Sequence, residues 1–374
     1  MTARRHARRV HWFCWHPTPY NDHLFQHLAK DRSIDLIVHY RSRTLASHPW
    51  QSALAQGYSA RFYAVLFGLD WHVISLALND RGAFFVIAGW DHLTSQILLT
   101  LLRLFRRSYA LFTDTPAVDG SRSKLVARAR GAWLRWVFAG AVRVMSTGII
   151  GMRNLKRMGA SEHQLTNFPY WIDLVSYARR YPPNCRPAKP LRIVSSGRIV
   201  NRLKGHDIAI RALAQAADRI AVPFEYFIAG TGPDENELRE VVARLGLNDK
   251  VRWLGWLEPD DVRKLYEESD LLLHPSPVHE PYGVAVIEAM AMQLVVLASD
   301  VTYAATDRIE HGINGFIHRA GNVDELAEQI CFLLQNPDLM PQIGRRARDT
   351  AELWPVRRGV NIIREMVQSA SCKA

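Results

Sequence analysis

HEPYGVAVIEAMA, His279 to Ala291, carries two carboxylates, Glu280 and Glu288, on either side of a helix start. Pro281 and Gly283 follow the first carboxylate, and an apolar run follows them. Proline is tolerated at or just ahead of the first helical turn, where its missing N–H would have no partner in any case. A helix therefore begins near Gly283, with Glu280 on the loop before it and Glu288 a little over one turn inside. Val284, Ile287 and Ala291 fall on one apolar stripe. Between the carboxylates lie unpaired backbone N–H groups and the positive end of the helix dipole, a ready anion site. A Glu near a helix start is ordinary, and one inside a helix usually lies on the solvated surface. The preceding run changes that reading. DLLLHPSP, Asp270 to Pro277, reads as a buried strand and a turn-forming loop, and strand, loop, helix start is where open α/β sheets bind ligands. The arrangement suits a ligand with a phosphate in the middle and hydroxyls at both ends, such as a nucleotide sugar.

Outward from this stretch, short apolar runs alternate with helical segments, which predicts α/β architecture with parallel sheets. In the first half strands are expected at Val10–Trp15, Ile34–His39, His72–Ser75, Phe84–Ala88, Tyr109–Thr113 and Val142–Ser146. Helices are expected near Leu24–Lys30, Thr94–Arg106, Lys124–Phe138 and Met152–Arg157. YPPNCRPAKP, Tyr181 to Pro190, has four prolines and no periodicity, and reads as a linker. The second half repeats the alternation. Strands are expected at Leu191–Ser195, Phe224–Ala229, Val251–Leu254, Asp270–His274, Val295–Ala298 and Gly315–Ile317. Helices are expected near Asp207–Arg219, Glu235–Leu245, Pro259–Glu268, Val284–Met292, Val323–Leu334 and Leu339–Thr350. After Trp354-Pro355 a basic amphipathic helix runs to about Gln368. The reading is two Rossmann-like domains, 1–182 and 191–353, a linker at 183–190 and a closing helix in 354–374.

At 374 residues, 48% hydrophobic and 22% charged, the chain is globular and long enough for two domains. Four scattered cysteines, Cys14, Cys185, Cys331 and Cys372, give neither a zinc spacing nor a disulfide framework, so a reducing cytoplasm is expected. The basic N-terminus is followed by no long apolar segment, which argues against a cleaved signal peptide. Asp70, His72, Asp91 and Arg103 interrupt the apolar stretches and leave none of them long enough to span a bilayer. The formal net charge of +11 points to anionic partners. Arg4, Arg5, Arg8 and Arg9 form one cluster. Arg103, Arg106 and Arg107 close ILLTLLRLFRR, and Arg122, Lys124, Arg128, Arg130 and Arg135 interleave with Leu125, Trp133, Leu134, Trp136 and Phe138. That pattern suits a helix lying on an anionic membrane surface. It equally suits a core-facing helix with a solvated basic face. No nucleic-acid-binding motif is present.

SSGRIVNRLKGHD, Ser195 to Asp207, follows the first strand of the second half. Gly197 lets the backbone turn, and Arg198 and Lys204 lie on the loop before the next helix. A diphosphate leaving group builds negative charge as a glycosidic bond breaks, and fixed cations and N–H donors suit it. In FIAGTGPDENELRE, Phe227 to Glu240, Gly230 and Gly232 end a strand and serve either close ligand approach or tight packing. E-x7-E followed by A-M-A, after a strand ending in P-S, resembles the signature of glycosyltransferase family 4, the group 1 transferases. The resemblance covers about Arg192 to Leu353; the first half matches only in general architecture. It implies the GT-B fold, two Rossmann-like domains facing a cleft, with the closing helix often returning to the N-terminal one. It also implies transfer of a sugar from a nucleoside diphosphate with retention of configuration, and without a metal or other cofactor.

By the same resemblance Arg198 and Lys204 grip the donor phosphates. The Gly230 turn lies on the nucleotide side, with the base near VRWLGW, Val251 to Trp256. Glu288 takes ribose hydroxyls, and Glu280 sits by the transferred sugar as nucleophile or orienting group. The backbone N–H groups of Tyr282, Gly283 and Val284 face sugar hydroxyls and phosphate. The chain departs from the pattern in several places. The first loop is HPTPYNDHLF, His16 to Phe25, without the usual glycines. Thr113 stands where a His is common, leaving Asp114 either a polar role at the reaction centre or a turn-capping one. NFPYWID, Asn167 to Asp173, replaces an asparagine- and glycine-containing loop. Gln293 and Val295 replace a Gly and a Pro, and Asp307 replaces a Glu. The expected acceptor is a cell-surface polysaccharide or lipid-linked glycan at the cytoplasmic membrane face. Two other classes fit the same motifs: a sugar-nucleotide epimerase of this architecture, and a non-catalytic protein that binds nucleotide sugars or polyanions.

Overall fold

The computed structural model describes residues 7–43, 55–62, 69–114, 124–179 and 190–371. Arg4, Arg5, Arg122 and, but for Pro190, the expected linker lie outside these. The chain divides into two compact units: residues 1–171 with 356–374, and residues 172–355.

In chain order the first unit runs β1 (Arg8–Cys14), α1 (Pro19–Ala29), β2 (Ile34–Tyr40), β3 (Ser59–Phe62), α2 (Trp71–Asn79), β4 (Phe84–Ala88), α3 (Leu93–Leu104), β5 (Ser108–Thr113), α4 (Lys124–Gly140), β6 (Arg143–Ser146), α5 (Gly148–Arg157) and β7 (Leu165–Asn167). The strands form one parallel sheet in the order β3-β2-β1-β4-β5-β6-β7. β4 is a continuous apolar run, Phe84 to Ile87 fully buried, as befits a strand covered on both faces. The edge strands β3 and β7 have three or four residues and no fully buried position, so they carry no hydrophobic run that a sequence reading detects.

One expected strand is a helix. His72–Ser75 falls inside α2, where the Asp70 side chain caps the Val73 N–H and Val73, Ile74 and Ala77 turn inward at helical spacing. The β-branched pair Val73-Ile74 has strand character, and the cap decides otherwise. The C-terminal helix, Val356–Ser371, packs on the first unit. A Cβ on Gly359 would meet the Trp171 ring at 2.6 Å, so glycine admits the ring. Arg364 Nε donates to Asp31 at 2.6 Å, and Arg8 Nη1 donates to the Val367 carbonyl at 2.8 Å.

The second unit runs β8 (Leu191–Ser196), α6 (Asn201–Lys204), α7 (His206–Arg219), β9 (Phe224–Ala229), α8 (Glu235–Arg244), β10 (Val251–Gly255), α9 (Pro259–Glu267), β11 (Leu271–His274), α10 (Val284–Ala291), β12 (Val295–Ser299), α11 (Tyr303–Arg308), β13 (Phe316–His318), α12 (Val323–Gln335) and α13 (Met340–Glu352). Its parallel sheet has the order β10-β9-β8-β11-β12-β13. The core draws on Ile193, Ile228, Leu271, Leu273, Val295 and Leu297 from the strands and Ile210, Leu213 and Ile330 from the covering helices. In both sheets the strand order reverses beside the first strand, at β1/β4 and β8/β11. Ligands collect outside the strand ends at such switch points.

Candidate functional site

The loop after β8 leaves the sheet at Gly197, whose φ of 144° lies in the region that favours glycine. Its backbone is tied to the loop after β9. Gly197 N donates to the Ala229 carbonyl and Ile199 N to that of Thr231, each at 2.9 Å. A Cβ on Gly230 would lie 1.9 Å from the Gly197 carbonyl oxygen, and one on Gly232 would lie 2.1 Å from that of Ile199. Both glycines are therefore required by backbone-to-backbone packing, the second of the two uses anticipated for this turn. Their contact fixes the loop that carries Arg198.

Lys204 is not on an open loop but ends the short helix α6. Asp234 Oδ2 accepts Asn201 N at 2.6 Å, and Asn201 Oδ1 accepts Asp207 N at 3.0 Å, which pins this helix. Gly205 follows with φ 66°, and a Cβ there would strike the Pro275 carbonyl oxygen at 2.2 Å. The α6 turn thus lies against the loop after β11.

That loop brings Glu280 to Lys204. The ammonium donates to both carboxylate oxygens, at 2.8 and 2.7 Å, and the side chains are only 17% and 16% exposed. Ser276 Oγ adds a longer bond to Oε2 at 3.4 Å. Burial works to raise the Glu280 carboxyl, but Lys204, His274 and the two hydrogen-bond donors outweigh it and hold the group below its ordinary range. The Glu280 backbone is anchored too, its N–H on the Val301 carbonyl and its carbonyl on the Tyr303 N–H. Arg198, half-buried, makes no side-chain hydrogen bond or ion pair among the described residues.

α10 begins as expected. Gly283 is its N-cap at φ 84°, and no side chain caps this end. Tyr282 turns its ring into the core, where its hydroxyl accepts Arg308 Nη2 at 2.8 Å and burial pushes it up to about 12. Only its backbone remains for a ligand. Glu288 sits one turn on and is not a solvated surface residue. Its Oε1 accepts the Tyr177 hydroxyl at 2.7 Å. Burial raises its carboxyl above the ordinary value against the opposing effects of Tyr177 and Arg263. The two glutamates thus occupy opposite electrostatic settings.

Several residues here were not anticipated. Tyr177 follows the NFPYWID segment and reaches Glu288 across a long sequence separation. Ser276 and His274 both lie in DLLLHPSP; a His ending a buried strand just ahead of a helix start is a local signal that composition alone does not weigh. Burial lowers His274 to about 4, and Nε2 has no hydrogen-bond partner among the described residues.

Asp114 belongs to the first unit, exposed at the end of β5, where the Tyr170 hydroxyl donates to its Oδ1. The same unit has a concavity at its switch point, lined by the ends of β1, β2 and β4 and the starts of α2 and α3. Its cavity volume is small, about 60 Å³. The Arg41 guanidinium lies 4.6 Å over the Trp15 ring, and the His92 ring is 3.9 Å from it. Among the described residues no group of three or more His, Cys, Asp or Glu is placed to hold a metal ion.

Residues 182–350 match the family model described as Glycosyl transferases group 1. WcaL of Escherichia coli (strain K12), named as a colanic acid biosynthesis glycosyltransferase, is 28% identical over 204 residues, 53% of this chain and 49% of that protein. The amylovoran biosynthesis glycosyltransferase AmsK of Erwinia amylovora is 31% identical over 161 residues, 41% of this chain and 39% of that protein. The chain thus spans about half or less of the length of these curated relatives. Among solved structures, Anabaena HepE in complex with UDP superposes with a TM-score of 0.74 at 18% identity, covering 97% of this chain and 100% of that one. The likeness shows the fold: two Rossmann-like domains with parallel sheets, the GT-B architecture.

Proposed function

We propose that this chain is a glycosyltransferase that takes a sugar from a nucleoside diphosphate, retains its anomeric configuration and passes it to a growing cell-surface polysaccharide or lipid-linked glycan. The observation that carries the reading is the Lys204–Glu280 pair near the start of α10, with Arg198, unpartnered among the described residues, on the loop that leads into the helix of Lys204. Arg198, Lys204 and the backbone N–H groups of Gly283 and Val284 supply positive charge and donors for a departing diphosphate, and this supply asks for no metal. Glu280 orients the sugar. Glu288 takes ribose hydroxyls by exchanging its bond to Tyr177. HepE has been crystallised with UDP and with UDP-glucose, which supports a nucleotide sugar as donor. The names of WcaL and AmsK support polysaccharide biosynthesis.

On the acceptor side, the concavity of Trp15, Arg41 and His92 offers an aromatic platform and a cation suited to a sugar ring. A membrane-bound acceptor fits the basic surface. From Gly120 to Ser161 there are nine Lys or Arg and no Asp or Glu. Leu125 at 77% and Val126 at 51% exposure stand out at the start of α4 beside Lys124 and Arg128. Arg103 joins exposed Leu104 and Phe105 to Trp136, lying 5.6 Å over its ring. No helix of the described residues is long and apolar enough to cross a membrane, and a basic face with exposed apolar side chains supports peripheral contact with an anionic surface.

The test is transfer by Arg198→Ala and Glu280→Ala variants that melt like the parent chain. Both are expected to lose at least about a hundredfold in rate, the scale of removing one transition-state charge partner. Undiminished transfer in both would remove the assignment.

A further inference from the structure

His274 ends β11 beneath the start of α10. It is buried, and its Nε2 is covered and unpaired. A buried polar atom without a partner costs stability and calls for a reason. A Cβ built on Gly283 would lie 3.4 Å from that nitrogen, 3.6 Å from Cγ of Glu280 and 2.8 Å from Cγ2 of Thr302. His274 Nε2 and the Glu280 side chain therefore border one small space that glycine leaves open. The charged and titratable groups facing the imidazole are Lys204 from α6, Glu280, His206 from α7 and His318 from β13. Only Glu280 among them carries negative charge, and it now spends both oxygens on Lys204.

A diphosphate gripped by Lys204 draws the ammonium away. Glu280 is then a buried carboxylate left with the Ser276 hydroxyl at 3.4 Å. Resting on the reading of Lys204 as a phosphate ligand, we propose that His274 is a positioning residue that takes over Glu280 when Lys204 turns to the donor. The neutral imidazole donates its Nε2–H to the carboxylate, which stays ionised and aimed at the sugar. No proton changes owner: Lys204 remains an ammonium, His274 neutral and Glu280 a carboxylate. Only hydrogen-bond partners change. The unpaired nitrogen of the ligand-free protein is satisfied in the bound one.

The test titrates inorganic diphosphate and UDP into the full chain at a series of pH values around neutrality. In His274→Ala, Glu280 loses its replacement partner and takes up a proton as Lys204 leaves. Linkage then makes the dissociation constant rise with pH more steeply than in the parent, by up to about tenfold per pH unit. His274→Gln, which keeps an N–H donor near the same place, restores the parent slope. Adding Glu280→Gln to His274→Ala also restores it, because no carboxylate remains to protonate. Equal slopes in the parent and His274→Ala, or the same steepening with and without Glu280→Gln, would overturn the proposal. If Lys204→Ala weakens binding while His274→Ala leaves it unchanged, the phosphate reading stands and this one falls. If diphosphate and UDP do not bind, both fall.

Discussion

Glu280 and Glu288 look alike in the sequence and behave as opposites in the fold. Glu280 is held low by Lys204, so its contribution to stability is present above the ordinary carboxylate range and is lost as pH falls through its folded value. Glu288 is raised by burial, so its contribution is present below the ordinary range and is lost as pH rises through its folded value. Lys204→Ala leaves Glu280 buried without its cation, at about 3 kcal/mol near neutrality, the low end for breaking a buried pair. In the variant the His274 imidazole and the Ser276 hydroxyl are the donors left to Glu280, so its carboxyl stays ionised near neutrality but is no longer held as low as beside the ammonium. The stability gap between parent and variant, measured by urea unfolding, is then widest near neutrality and shrinks in acid. A gap independent of pH would contradict this account of the pair. The spacing of the two carboxylates and the helix start between them were legible in the sequence. Their different settings were not. The partner of Glu288 is Tyr177, 111 residues away, and that of Glu280 is Lys204, 76 residues away. Contacts at such separation follow from the sheet order, which no local pattern states.

The loops after β8, β9 and β11 are held by glycines where backbones touch. Gly230→Ala places a Cβ 1.9 Å from the Gly197 carbonyl oxygen at a φ of 144°, so a backbone segment must move. Its expected effect is a melting temperature several degrees lower, on the order of a 2 kcal/mol loss, together with weaker binding of inorganic diphosphate through the displaced Arg198 loop. Unchanged melting would show that the loop yields freely. In α2 the sequence reading was wrong for a local reason: Val73-Ile74 has strand character, and the Asp70 cap overrides it. Long periodic helices such as α7, α8 and α12 were read within a residue or two at each end, because an apolar stripe repeats over nearly three turns or more. The edge strands β3 and β7 left no such trace, and their pairing comes from the neighbouring strand.

Each unit has a parallel sheet with its own switch point, the second bearing the Lys204–Glu280 pair and the first the Trp15–Arg41–His92 concavity. The charge asymmetry between Gly120 and Ser161, with the exposed apolar residues of α3 and α4, predicts salt-sensitive binding to vesicles of anionic lipid. Replacing Leu125 and Val126 by Ser is expected to weaken that binding at low salt, and equal binding at low and high salt would argue against the surface role. The central claim, that the chain cleaves a nucleoside diphosphate sugar, is tested most directly without any acceptor. The purified chain is incubated with a panel of nucleotide sugars, and release of nucleoside diphosphate is followed. The account predicts that one donor is slowly hydrolysed, and that Arg198→Ala abolishes the release. A panel in which no member is cleaved or bound, or in which one nucleotide sugar is converted to another with no diphosphate released, would contradict it.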